Sequence, residues 1–381
     1  MSGRARCVLL AGFLCLAVCL HVGAEQPFFM SFQDDPELAG FRVSDMSADG
    51  RTLVGARGGT PLYWPVGGEL VELPLPPGAT SAGVSVVSGD GSTMVGMVNF
   101  DPLGWGTVLE PYRWDLQGGI TWLGRPDETT VSPFDISGDG SVVVGYTNDA
   151  NGYRGFAWTQ ETGLVDINDF TGLSGQTVAA AITPDGSTIV GAAGITDESG
   201  VGFRWSQADG ITWIGDPDSR DEAVAPLLVS ADGEVAVGLL SRVEPDSSVP
   251  PKTFRWTESG GVEQLIDDPA ISESRPFAMS ADGELIAGWT RSSVDNTPSA
   301  FIWDPVNGLQ DLNVVLVDDY GLDLEGWHLG DVTEMSADGM TMVGNAFDGD
   351  GGSAPYIVHV PEPSVLLLLS VAALVFKRRF R

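Results

Sequence analysis

An all-β fold, a seven-bladed β-propeller of four-stranded blades, is what this 381-residue chain predicts, and three observations carry it. A short stretch, seen as Ser230-Ala231-Asp232-Gly233-Glu234-Val235-Ala236-Val237-Gly238, occurs seven times, starting at Ser47, Ser88, Ser137, Thr183, Ser230, Ser280 and Ser336. Six copies are followed by an aromatic residue, a variable one and Trp, or by Tyr63-Trp64; the seventh has Tyr356-Ile357-Val358. The motif aspartates, at 49, 90, 139, 185, 232, 282 and 338, are 41 to 56 residues apart. That is close to the period of four-stranded propeller blades, which are Gly- and Trp-rich and close rings of four to eight.

Each element of the unit follows from its residues. Asp-Gly between apolar runs is a turn signal, because Gly accepts positive φ and Asp bonds the backbone two residues on. The runs 223–229 and 235–237 flank it as two strands of a pleated, half-buried surface. Phe254-Arg255-Trp256 and its equivalents form a third strand with both rings on one face, since strand side chains alternate. Gly119-Ile120-Thr121-Trp122-Leu123 and Gly210-Ile211-Thr212-Trp213-Ile214 exemplify the fourth.

The seventh unit reaches Pro361 after three strands, and an orphan apolar stretch, residues 27–32, precedes the first unit. This N-terminal stretch is expected to supply the missing outer strand of the last blade and close the ring, removing unpaired edges. No trustworthy helical periodicity interrupts residues 25–360, the repeat domain.

The two ends carry the address. Residues 1–24 read as a secretory signal peptide: Arg4 and Arg6, an apolar core from Val8 to Val22, and a small-residue exit with cleavage after Ala24. All three cysteines, Cys7, Cys15 and Cys19, lie inside it, so the mature chain has no disulfide or thiolate metal site. Residues 361–381 form a sorting segment, in which Pro361-Glu362-Pro363 leads into an apolar run, 365–376, and then Lys377-Arg378-Arg379-Phe380-Arg381. Twelve helical residues reach about 18 Å, short of the roughly 30 Å bilayer core, so a transmembrane segment here needs its flanks. The basic tail would stay cytoplasmic.

This C-terminal arrangement resembles the PEP-CTERM sorting signal, with Pro361, Glu362, Pro363, Arg378 and Arg379 at the matching positions. The resemblance implies processing by an exosortase-type enzyme after transient insertion in the inner membrane. The repeats are similar to those of HAF-repeat extracellular proteins, whose third strand reads Ala-Phe-x-Trp; Ala300-Phe301-Ile302-Trp303 matches it fully and Gly155-Phe156-Ala157-Trp158 closely. Those families imply export to the cell surface or extracellular matrix.

Within the domain the chemistry is sparse. The chain has 52 acids against 19 bases, and the repeat domain alone about 51 against 13, which repels nucleic acid and anionic membranes. His328 and His359 have no partner at metal-ligand spacing, and no Gly-x-Ser-x-Gly, phosphate loop or dinucleotide fingerprint occurs, so no catalytic, cofactor or metal residue is assigned. The seven repeated aspartates read as turn formers. Calcium is the one ion the loops invite, at 347–352 and 148–152, though turn chemistry alone accounts for both. Trp105, Trp289 and Trp327 fall outside the repeated strands and are candidate sugar platforms, with burial the equal alternative. The expectation is a non-enzymatic surface protein binding polysaccharide or another surface protein. The alternative is a glycan-active hydrolase or lyase using a carboxylate pair, which spacing cannot pick among so many acids.

Overall fold

The computed structural model describes residues 26–100, 109–117, 119–124, 130–150, 152–173, 175–194, 200–218, 222–242 and 250–361. The signal segment and its cleavage site at Ala24, and Glu362, Pro363, Arg378 and Arg379 of the tail, lie outside these residues, as does Trp105. The described chain is all-β, arranged as a β-propeller of small antiparallel sheets. Six sheets have four strands in chain order, beginning with Arg42–Met46, Ser81–Val87, Thr130–Ile136, Thr177–Ile182, Glu222–Val229 and Ile271–Met279; they are called sheets 1 to 6 here.

Sheet 7 departs from the expected four-stranded blade. It has five strands, because its first strand is split into His328–Leu329 and Glu334–Met335, both paired with Thr341–Phe347. The break has a local cause. The Asp331 carboxylate accepts hydrogen bonds from Asn345 N at 2.7 Å and from its side-chain amide, taking over where a ladder partner would sit. Phe28–Ser31 forms the outer strand of this sheet, antiparallel to Ser353–His359, with Phe28 opposite His359 and Ser31 opposite Tyr356. A seven-residue helix, Leu312–Asp318, also departs from the strand-only expectation. Asp311 caps it through Asn313 N, and Leu312 and Leu316, one turn apart, are its buried residues.

The hydrophobic core is distributed between sheets. Leu53, Leu62 and Trp64 of sheet 1 pack with Val343 and Ile357 of sheet 7; Val144 of sheet 3 packs with Ile189 and Phe203 of sheet 4; Ala287 and Ala300 of sheet 6 pack with Val332, Met342 and Tyr356 of sheet 7. The sheets' first strands touch in succession, and the first strand of sheet 7 touches that of sheet 1. The motif turns are joined as well: Ala48 N donates to Gly89 O, Asp90 N to Gly138 O, Gly138 N to Pro184 O, Ala231 N to Ala281 O, Ala281 N to Ala337 O, and Ala337 N to Ala48 O.

The motif explains itself at atomic scale. Ser230 Oγ donates to Asp232 Oδ1 at 2.6 Å and accepts from Val235 N at 2.9 Å, while Asp232 Oδ1 accepts from Glu234 N at 3.0 Å. Gly233 holds φ at +75°, where a side chain is strained. The closing glycine has another reason: a Cβ on Gly238 would run into the Ala225 carbonyl across the hairpin, where a β-bulge draws the backbones together. Asp232→Ala, losing two modest hydrogen bonds, is therefore expected to cost about 1–2 kcal/mol. Gly238→Ala is expected to cost about 3 kcal/mol through overpacking against backbone. Urea midpoints of the two variants check this ranking, and equal losses would contradict it.

Candidate functional site: a carboxyl arc on the first strands

The bulge that demands the closing glycine also sets what the first strands present to one another. Register shifts fall at Val43/Asp45, Val84/Val86, Pro133/Asp135, Ala179/Ala181, Pro226/Leu228 and Pro276/Ala278. The residue after each shift lies two before the motif Ser or Thr, and Glu334 holds the equivalent place before Ser336. Four of these seven positions are apolar: Val86, Ala181, Leu228 and Ala278. The other three, Asp45, Asp135 and Glu334, are carboxylic acids close enough to one another to interact electrostatically.

Asp45 and Asp135 are held alike. Asp45 Oδ2 accepts from Val87 N of sheet 2 at 2.6 Å, and its Oδ1 from Met46 N at 2.7 Å. Asp135 Oδ2 accepts from Ile182 N of sheet 4 at 2.8 Å, and its Oδ1 from Ile136 N at 2.7 Å. Each carboxylate thus ties its own sheet to the next. All three acids keep some accessible surface yet are densely surrounded by protein.

That surrounding governs their protonation. Burial pushes Asp135 up to about 7, with the charge of Asp45 adding to it. Burial likewise raises Asp45 to about 6, against the pull of the Val87 and Met46 amides and a hydrogen bond from Glu334. Glu334 is raised well above the usual carboxylate range, first by burial and then by the Asp45 charge. The consistent microstate has the Glu334 carboxyl protonated and donating to an Asp45 carboxylate. An arrangement of this kind can share a proton and bind a hydrogen-bonding ligand.

No such arc was named from the sequence. A bulge shifts the alternation on which face assignment rests, and three acids among 52 carry no local mark. Superposing the seven repeats would have shown them, since the other four copies are apolar at that position.

The arginine between the aromatic residues, treated from sequence as a mere variable position, is the other missed group. Arg113, Arg204 and Arg255 donate Nε to the carbonyls of Gly140, Gly233 and Gly283, each in the motif turn of the following sheet. Arg204 and Arg255 also pair with Glu234 and Glu284 there, at 3.4 and 3.3 Å.

Other sequence candidates fall elsewhere. Trp327 packs against the core between sheets 6 and 7, and Trp289 lies under Arg291. His359 stacks on Phe28 and its Nδ1 lies 3.0 Å from Thr341 Oγ1; His328 Nε2 lies 3.1 Å from Pro298 O. In the 347–352 loop, Asp348 Oδ1 accepts from Asp350 N and Gly352 N, which is turn chemistry. Among the described residues there is no cluster of three or more His, Cys, Asp or Glu arranged to hold a metal ion, and no helix long and apolar enough to cross a membrane.

No family model matches the chain, and no curated protein matches its sequence. Solved structures are similar in fold. An oligogalacturonate lyase in complex with manganese aligns at TM-score 0.56 and 14% identity, over 88% of this chain and 97% of that one. The β-propeller domain of the trilobed protease from Pyrococcus furiosus, described as having an open velcro topology, aligns at 0.52 and 11%, over 83% and 95%. A puromycin hydrolase aligns at 0.54 and 16%, over 83% of this chain and 51% of its own. At these identities the likeness is one of fold, and the fold it gives is the β-propeller.

Proposed function

We propose that the seven sheets are the blades of a single closed ring, and that the molecule is a non-enzymatic cell-surface or matrix protein whose propeller binds polysaccharide. Closure is supported by the pairing of Phe28–Ser31 with Ser353–His359 and by the Ala337 to Ala48 hydrogen bond between the last motif turn and the first. The address rests on the two ends: the signal through Ala24, and Pro361-Glu362-Pro363 with Arg378 and Arg379, which resemble an exosortase substrate inserted transiently in the inner membrane.

The observation that carries the non-enzymatic reading is how the carboxyl arc is spent. Both oxygens of Asp45 and of Asp135 accept backbone amides, one from the adjoining sheet in each case. A general acid or base must instead reach the substrate. The hydrolase or lyase reading keeps one specific support, the proton that Glu334 holds against Asp45, since two carboxyls of divided protonation are the glycosidase device.

Both readings meet in one experiment. The full-length chain is mixed with a panel of neutral and acidic polysaccharides, and bound fraction, reducing ends and new double bonds are followed together. Binding without product is the expected result. Product formation that vanishes in Glu334→Gln moves the function to the enzyme, and a panel that nothing binds rejects both. The address is checked by intact mass from the native host: loss of both ends, near Ala24 and Pro361, is expected, and an intact C-terminus held in the inner membrane overturns it.

A further inference from the structure

Bases are scarce in this acidic chain, and the arginines of the third strands are committed to structure. Arg204 and Arg255 reach the next sheet's turn with side chains only 10% and 18% exposed. Arg275 and Arg291 of sheet 6 are employed otherwise. The register of that hairpin sets Glu273 opposite Arg291 and Arg275 opposite Trp289. Paired residues share a face, and so do alternate residues along a strand, so the four side chains form one two-by-two block.

Inside the block a single carboxylate serves two guanidiniums. Glu273 Oε1 lies 3.1 Å from Arg275 Nε, and its Oε2 lies 3.8 Å from Arg291 Nε. The Arg291 guanidinium stands over the Trp289 ring, 4.9 Å from its centroid, and Nη1 donates to Asn296 O. One positive charge is left over, on side chains 42% exposed for Arg275 and 34% for Arg291. Trp289 holds Arg291 in a fixed plane, which reduces the rotamer entropy lost on binding an anion. Phe277, within the bulge two residues beyond Arg275 on the side of the motif turn, is an exposed aromatic residue.

The geometry points to this block as a binding site for the carboxylate of an acidic sugar, a hexuronate unit of a polysaccharide. The assignment rests on the reading that the propeller binds polysaccharide. Two guanidiniums answer a planar carboxylate with paired N–H donors. A neutral sugar would leave the surplus charge unanswered. The chain's overall charge of −33 repels a polyanion at long range, but that repulsion is screened beyond about 8 Å at 0.15 M salt, while the guanidinium contacts act at about 3 Å.

The test titrates the full-length chain with a glucuronic acid tetramer and with the same tetramer after reduction of its carboxyls. The acidic tetramer is expected to bind at least about tenfold tighter, which is about 1.4 kcal/mol. The double variant Arg275→Gln/Arg291→Gln is expected to erase that preference with the melting temperature held. Arg291→Lys, which keeps the charge and loses the fork, should fall between and serves if the double variant folds poorly. Equal affinity for the two tetramers, or a preference that survives both variants, overturns the site. If only neutral polysaccharides bind, this inference fails and the broader reading stands; if no carbohydrate binds, both fail.

Discussion

Removal of residues 27–33 is expected to leave a chain that cannot hold its native fold at 37 °C. The segment forms the outer strand of sheet 7, and it does more than pair. Phe32 is fully buried, stacked on Phe41 and edge-on to Trp64, with Leu53, Val343 and Ile357 in the same cluster. Phe29 lies against Tyr356 on the neighbouring strand. Truncating one buried Phe costs about 3–5 kcal/mol, and a whole domain has only about 5–15 kcal/mol to lose. Phe32→Ala alone is therefore expected to lower stability by about 3–4 kcal/mol, seen as a lower urea midpoint at unchanged slope. Adding the missing segment as a synthetic peptide should raise the melting temperature of the truncated chain. A truncated chain that melts like the full one would show that this strand contributes nothing to the stability of the fold.

Stability is expected to fall between pH 4 and pH 7, against the usual trend for a protein tied by ionised carboxylates. Asp135 and Asp45, raised to about 7 and about 6, bind protons more tightly folded than unfolded, as does Glu334. Their contribution is complete below the unfolded carboxylate range near 4 and is lost as pH rises through the folded values. Three pH units at Asp135 set an upper bound of about 4 kcal/mol, and its partial contact with solvent reduces this to about 1–3 kcal/mol.

The exposed turn acids run the other way. Hydroxyl bonds from Thr183 and Ser230 hold Asp185 and Asp232 below the usual range, so their contribution disappears only in stronger acid. A stability maximum near pH 4–5 follows. Glu334→Gln preserves the donor to Asp45 and removes a charge, so it should flatten the pH 4–7 slope and stabilise the protein at pH 8. Salt distinguishes this effect from general self-repulsion, which 0.5 M NaCl would suppress. A wild-type curve that is flat or rising from pH 4 to 7 in 0.5 M NaCl would exclude the proton-sharing arc.

The seven turns were legible because their cause is local. Ser, Asp and Gly each act within five residues, through Ser230 Oγ, Asp232 Oδ1 and the positive φ of Gly233, and the same arrangement recurs in the other six copies, with Thr183 in place of Ser in the fourth. The aromatic strands were legible for a similar reason, since Phe254 and Trp256 obey simple alternation. What sequence could not carry were relations between sheets. The pull of Asp135 on Ile182 spans 47 residues, and Arg204 meets Gly233 across 29, with no periodicity to announce either. The split first strand of sheet 7 was hidden likewise, because Asp331 replaces a ladder partner through its side chain.

The pairing of Phe28 with His359 joins positions 331 residues apart, whereas the other sheets are built from neighbours in sequence. Synthesis at about 5–20 residues per second puts roughly 15–65 s between the appearance of one and of the other. Six sheets can form as they emerge, but the first strand made must wait for the last. During that interval Phe32 can already meet Phe41 and Trp64, but Phe28 and Phe29 lack His359 and Tyr356, and the strand Phe28–Ser31 has no ladder to join, so the last pairing made is the one that covers it. A chain arrested before its final sheet therefore leaves the strand Phe28–Ser31 without the partner Ser353–His359.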